Sequence, residues 1–211
     1  MARRLASKIG YRYIDSGAMY RAVTLWAMRQ GVIDSADNVD LPALIAALPD
    51  ISIDFRVNAD GSQNTMLNGE DVEHEIRQLS VSGHVSTIAA IPQVRHALVA
   101  MQQAMGRDKG IVMDGRDIGT TVFPDAEMKV FVTASPQTRA QRRFTELMEK
   151  GSHVTFEEVI ANVIHRDHID ETREESPLRK ADDAHLLDNS HMTVEEQDSW
   201  ILSLFHSLAN A

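Results

Sequence analysis

Three short apolar runs limit what this chain can fold into. Each is too short for a helix, each ends in turn chemistry, and the first and third lead into a helical pattern. Tyr11 to Ile14 is the first, ended by Asp15-Ser16-Gly17. Behind it Met19, Ala22, Val23 and Trp26 make an apolar stripe that Gly31 closes. Ile111-Val112-Met113 is the second, with Asp114 and Gly115 after it, and Met128 to Val132 is the third. Ser135-Pro136 then caps a helix running to Lys150, with Gly151 beyond it. His185-Leu186-Leu187 supplies a last strand. Apolar strands alternating with helices predict a parallel α/β sheet covered on both faces.

The remaining segments fit around that sheet. Met1 to Ile9 reads as a helix, with Leu5 and Ile9 at i, i+4 and Gly10 where a C-terminal glycine belongs. Leu41 to Leu48 is a short helix. In ISIDFRV the period changes: Ile51, Ile53, Phe55 and Val57 alternate with polar residues, which is strand spacing. Asn58 to Gly61 is turn chemistry, and a second strand around Asn64 to Leu67 ends at Asn68-Gly69. A β-hairpin appendage is therefore expected over 51–71. Helical pattern returns from Val72, and Pro92 opens a helix whose stripe is Val94, Leu98, Met101 and Met105. Thr155-x-x-Glu158 is a capping box for a long helix to about Arg173. Thr193-x-x-Glu196 opens the final helix, with Trp200, Ile201, Leu204, Phe205 and Leu208 on its face.

Composition narrows the function. With 211 residues, 43% of them hydrophobic, the chain can build one sizeable core. Its formal net charge of −10 argues against a nucleic-acid partner with a long phosphate-tracking groove. Any phosphate must be gripped locally, by a few arginines or by backbone amides. The absence of cysteine removes disulfides, thiolate nucleophiles and Cys-type zinc sites, and fits a cytoplasmic setting. The nine histidines form no tight ligand pair, so no metal ligands are predicted. No apolar run approaches the ~20 residues that span a bilayer. Arg3, Arg4, Lys8 and Arg12 precede the first acid, a composition shared with transit peptides.

Three stretches could carry chemistry. In DSGAMYR a strand ends and a helix begins, a place where anions collect, and Arg21 lies one turn in. Asp15 or Ser16 could equally be a plain N-cap and Arg21 a solvated charge. In DGRDIGTTVFPDA, Arg116 can fork onto a phosphate and Asp117 can accept from an amine; an Asx turn with a solvated ion pair is the alternative. In HRDHIDETR, Arg166, Asp170 and Arg173 share one helix face, as a surface salt-bridge ladder also would. Arg139, Arg142 and Arg143 cluster on another helix, and Ser86 and Arg95 flank the AAIP turn.

Together YIDSGAMYR, LNGEDVEHEIR, the VS…IPQVR segment, DGRDIGTTVFPDA, TRAQRR…EKG and RD…D…R resemble the bacterial-type cytidylate kinases, in that family's order and spacing along nearly the whole chain. The resemblance implies the P-loop nucleoside-monophosphate kinase fold as one domain over 1–211. It makes the 51–71 hairpin a monophosphate-binding insertion and 138–173 a helical lid. It implies transfer of the ATP γ-phosphoryl group, with Mg²⁺, to CMP or dCMP, by a cytoplasmic monomer. Ser16, Arg21, Arg116 and Arg173 would hold the CMP phosphate. Asp117, Ser86 and Arg95 would read the cytosine, and Arg166 and Asp170 the ribose. Arg139, Arg142 and Arg143 would face ATP, and Arg116, Arg142, Arg143 and Arg173 would stabilise the transferred group.

One part of that pattern is missing. The 211 residues contain no G-x-x-x-x-G-K-[ST] run, and the resemblance begins immediately after that loop and its strand. Loss of the central strand and of the loop's amides, lysine and hydroxyl would leave a truncated chain with little or no transfer. A CMP-binding remnant without catalysis and a protein-interaction role are the competing readings from other classes. A kinase of the same fold for another small metabolite, such as shikimate or dephospho-coenzyme A, is opposed by the hairpin and by HRDHIDETR.

Overall fold

The computed structural model describes residues 1–58, 62–149 and 151–209. The chain divides into two compact units, Arg12–Gly115 on the one hand and Met1–Tyr11 with Arg116–Ala211 on the other.

Within Arg12–Gly115, strand β1 (Arg12–Asp15) pairs in parallel with β5 (Ile111–Asp114), setting Asp15 opposite Asp114. Helix α2 (Ser16–Arg29) starts at the next residue, because the Asp15 side chain accepts the Ala18 N–H and satisfies one of the orphan donors of the first turn. Helices α3 (Leu41–Ala47), α4 (Leu79–Ala89) and α5 (Pro92–Met105) complete the helical part. Met19, Val23, Leu44, Ile76, Ile88, Val94 and Leu98 close its core. The expected stripe of α5 holds at Val94 and Leu98, while Met101 and Met105 are only partly buried against it.

The appendage has three strands instead of two. β2 (Ile53–Val57) pairs antiparallel with β3 (Gln63–Leu67), and β4 (Glu70–Asp71) returns along β3. The reversal uses Asn68 (φ 50°) and Gly69 (φ 83°), a left-handed pair that asparagine and glycine tolerate. Of the expected turn at Asn58 to Gly61, residues 59–61 lie outside the described residues. The helix expected from Val72 begins only at Leu79, after a single 3₁₀ turn, Glu75–Arg77. The cause is local: the Val72 N–H bonds to the Thr65 carbonyl, and Glu73 takes both the Thr65 N–H and its hydroxyl. Those bonds draw the segment onto β3.

In the other unit, helix α1 (Ala2–Ile9) ends at Gly10 with φ 72°, the left-handed cap that the glycine predicted. Arg4 and Lys8, one turn apart, both ion-pair with Asp198 of helix α8 (Val194–Ala209). Strands β6 (Val130–Thr133) and β7 (His185–Asp188) pair in parallel. Helices α6 (Pro136–Glu149) and α7 (Phe156–Thr172) cover most of the expected lid. They close a small core of Ala140, Leu147 and Val159, with Phe144 edge-on to Phe156. The Thr155–Glu158 capping box forms in both directions.

The predicted α/β class is borne out, with parallel strands flanked by helices. The parallel strands form two two-stranded sheets, β1–β5 and β6–β7, where one sheet was expected. Among the described residues no further strand ladders onto β5 or β6. Leu98 is 1% exposed in the centre of its core. Its replacement by alanine is expected to lower the unfolding free energy by about 2–5 kcal/mol, read as a shift of the urea denaturation midpoint.

Candidate active site

The carboxyl ends of β1 and β5 carry the first group of candidate residues. Asp15 caps α2 through Oδ1, and its Oδ2 accepts from Arg21 Nη2 at 3.2 Å and Arg77 Nη2 at 2.8 Å. Arg21 therefore folds back over the first turn of its own helix. A Cβ at position 17 would lie 3.1 Å from Arg21 Nη1, a tight contact that Gly17 avoids. A guanidinium at a helix N-terminus opposes the macrodipole, and Asp15 compensates it there. Burial pushes the Asp15 carboxyl up, but Arg21 and Arg77 outweigh that and hold it below the ordinary aspartate range. Asp114 moves the other way: desolvation, then the neighbouring Asp15 charge, raise it, against a hydrogen bond from the Tyr13 hydroxyl. The Ser16 hydroxyl is buried and donates to the Asp114 carbonyl at 2.6 Å.

Ser86 and Arg95 are buried in the same unit, on α4 and α5. Arg95 is 1% exposed; its Nη1 donates to the Ala89 carbonyl, and its guanidinium lies 5.4 Å from the centroid of the Tyr20 ring. A buried cation held this way is a fixed donor, since leaving it without partners would be costly.

The other unit carries the second group. Arg116 donates from Nε to Asp170 Oδ2 at 2.8 Å, and Arg173 Nη1 lies 3.3 Å from Asp170 Oδ1. Arg173 also forks onto the Ser176 carbonyl. Asp170 thus spends its two oxygens on Arg116 and Arg173, and Arg166, one turn before it, takes neither. Arg166 Nε is buried without a hydrogen-bond partner among the described residues. Burial first, then the like charge of Arg116 and Arg143, press the Arg166 guanidinium below its ordinary value, partly opposed by Asp170 and Asp167. Crowded guanidinium groups that acids do not fully offset favour a polyanion.

Asp117 is buried, and its carbonyl accepts the Thr121 N–H within a π-helical turn, Ile118–Val122. Such turns gather at functional sites. Gly119 of that turn packs against the buried stem of Lys129, which ion-pairs with Asp183. Of the three lid arginines, Arg139 makes a bidentate pair with Asp167 at 2.7 and 2.6 Å, joining α6 to α7. Arg142 forks onto the side chain and carbonyl of Asn189. Among the described residues Arg143 pairs locally, with Glu146.

Arg77 and Glu73 carried no role on sequence grounds. Their i, i+4 spacing is a common surface motif, and nothing local shows that Arg77 reaches Asp15, 62 positions away in the chain. Among the described residues, no group of three or more His, Cys, Asp or Glu side chains could hold a metal ion, and no helix is long and apolar enough to cross a membrane.

Parallel strands ending in arginine-bearing turns, a β insertion and a helical hairpin rich in arginine are the parts of a nucleoside-monophosphate kinase. Comparison with known proteins agrees. The cytidylate kinase family model matches residues 1–207. The chain is 57% identical to the cytidylate kinase of Bacteroides fragilis over its whole length and 92% of that protein. It is 58% identical to that of Bacteroides thetaiotaomicron, covering 97% of this chain and 90% of the relative. The match to the cytidylate kinase of Flavobacterium johnsoniae is 52%, over 99% and 90%. The chain belongs to the cytidylate kinase family.

The Asp15 cluster makes a testable demand on stability. A carboxyl whose folded value lies below its unfolded one contributes stability that is present above about pH 4 and lost as pH falls through the folded value. Asp15→Asn is expected to be less stable than the unsubstituted chain at neutral pH, with the gap closing as the solution is acidified below about pH 4. Urea denaturation at a series of pH values measures the gap; a gap that is constant with pH contradicts the assignment.

Proposed function

We propose that this protein takes CMP or dCMP as phosphoryl acceptor and ATP, with its Mg²⁺, as donor, giving CDP or dCDP and ADP. The observation that carries the reading is the match of the cytidylate kinase family along nearly the whole chain; arginines at the strand ends and on the helical hairpin support it. In Arg12–Gly115, Ser16 and Arg21 would contact the acceptor phosphate, and Ser86 and Arg95 the base. Arg95 is a fixed donor suited to the carbonyl and ring-nitrogen edge of a pyrimidine.

In the other unit, Asp117 would accept from the exocyclic amine that distinguishes cytosine from uracil. Arg166 and Asp170 would face the ribose, and Arg116 and Arg173 the acceptor phosphate. Arg143, Arg142 and Arg139 would serve the ATP side. Of these, Arg143 and Arg166 have the most unspent donor capacity for phosphate oxygens; Arg142 and Arg139 act as drawn only if their forks leave Asn189 and Asp167. Mg²⁺ enters as part of the substrate, on the ATP phosphates. Chemistry of this kind rests on positioning and on stabilising equatorial charge. An oxygen of the CMP phosphate attacks the γ-phosphorus in line as the bond to the β–γ bridging oxygen breaks, and the electron pair leaves with ADP. The acceptor oxygen is already anionic, so no strong general base is required. The reading extends to a monomer acting in the cytoplasm, where free nucleotides and ATP are available.

A second reading concerns these 211 residues taken by themselves: that they hold CMP without efficient transfer, since they contain no G-x-x-x-x-G-K-[ST] run, whose amides, lysine and hydroxyl would cradle ATP and its metal. One preorganised donor is worth roughly 10²–10³ in rate. Titration calorimetry of this chain is expected to show CMP binding. A coupled assay should show turnover at least roughly 10²-fold below that of the same chain preceded by a strand and such a loop. Ordinary turnover by the 211 residues alone would contradict the second reading, and absence of CMP binding would contradict both.

A further inference from the structure

Arg77 sits at the centre of a chain of alternating charge that runs from the β insertion to the first turn of α2. Its Nε and Nη2 hold Glu73 Oε1, at 2.8 Å each, and Nη2 also holds Asp15 Oδ2 at 2.8 Å. Glu73 is fixed at its far side by the Thr65 N–H, at 3.1 Å, and the Thr65 hydroxyl, at 2.6 Å, on β3. Asp15 is fixed by the Ala18 N–H and holds Arg21. The order is Thr65, Glu73, Arg77, Asp15, Arg21. The four ionic side chains are between 15% and 27% exposed, so water screens them only in part.

We propose that Arg77 is a positioning residue for the acceptor phosphate: it shares the Asp15 carboxylate with Arg21, and so keeps the Arg21 guanidinium docked over the α2 N-terminus. The proposal rests on the reading that Arg21 contacts that phosphate. Arg77 and Arg21 share Asp15 Oδ2 while the Ala18 N–H holds Oδ1, so the carboxylate that orients Arg21 is fixed at both oxygens. Arg77 also lies on the 3₁₀ turn that Glu73 ties to β3. The insertion is thereby connected to the phosphate contact by direct hydrogen bonds, and a shift of β3 or β4 is transmitted to Arg21 through two carboxylates and one guanidinium.

The test compares CMP with cytidine, which lacks the phosphate and should not engage Arg21. Both ligands are titrated calorimetrically into the full chain and into Arg77→Met, Arg77→Lys and Glu73→Gln. Arg77→Met is expected to weaken CMP roughly tenfold, the scale of a lost charge-assisted hydrogen bond, while cytidine changes less than about twofold. Arg77→Lys, which keeps the charge but not the fork, should recover part of the loss. Glu73→Gln should weaken CMP less than Arg77→Met, again sparing cytidine, and it carries the test if Arg77→Met does not fold. Unchanged CMP affinity in Arg77→Met, or in Glu73→Gln should that variant alone fold, overturns the inference while leaving the reading of the site intact. Equal losses for CMP and cytidine also overturn it, since they mark a scaffold role. Failure of the unsubstituted chain to bind CMP overturns the inference and the reading together.

Discussion

The Asp15 carboxylate is the interaction on which the rest of this site depends. It ends β1, starts α2 and holds two guanidinium groups, and each task constrains the others. The strand must stop where the cap is needed, and a glycine as the next residue but one leaves room for Arg21 to fold back. The carboxylate must stay ionised although protein surrounds it, which its two arginines achieve. A parallel pair delivers this geometry cheaply, because adjacent strands end together and their following turns emerge at one edge. β1 and β5 do so here, with Asp15 opposite Asp114.

The second unit uses the opposite device. Asp170 is spent on Arg116 and Arg173, Asp167 on Arg139 and Glu146 on Arg143, which leaves Arg166 with like charge nearby that these acids only partly offset. A fully neutralised set of arginines would be more comfortable in the absence of substrate and less useful in its presence. The packing of α6 on α7 supplies the rigidity that holds such charges together: a small apolar core, an aromatic pair and a capping box.

Most of the architecture was legible from periodicity. The left-handed glycine at Gly10, the two capping boxes, the Val94 and Leu98 half of the α5 stripe and the passage from strand to helix at DSG follow from short-range rules, and the structure has each of them. What escaped were contacts between distant segments. Glu70 and Asp71 show no strand propensity, yet they pair once the Asn68-Gly69 turn sends them back along β3. Val72 to Gln78 looks helical until Thr65 draws it onto the sheet. Among the candidate site residues, the nature of each arginine could be read but not its partner. Asp170 was expected to face Arg166 and Arg173 along one helix, whereas a loop 54 residues away supplies Arg116. Arg77 was invisible for the same reason.

The central claim is that guanidinium groups at the strand ends receive a nucleotide phosphate. Arginine side-chain NMR tests it most directly, following the Nε–Hε signals of Arg21 and Arg116 during titration with CMP and, separately, with cytidine. Each signal should move with CMP and stay nearly still with cytidine. Signals that ignore CMP, or respond alike to the two ligands, would contradict the account.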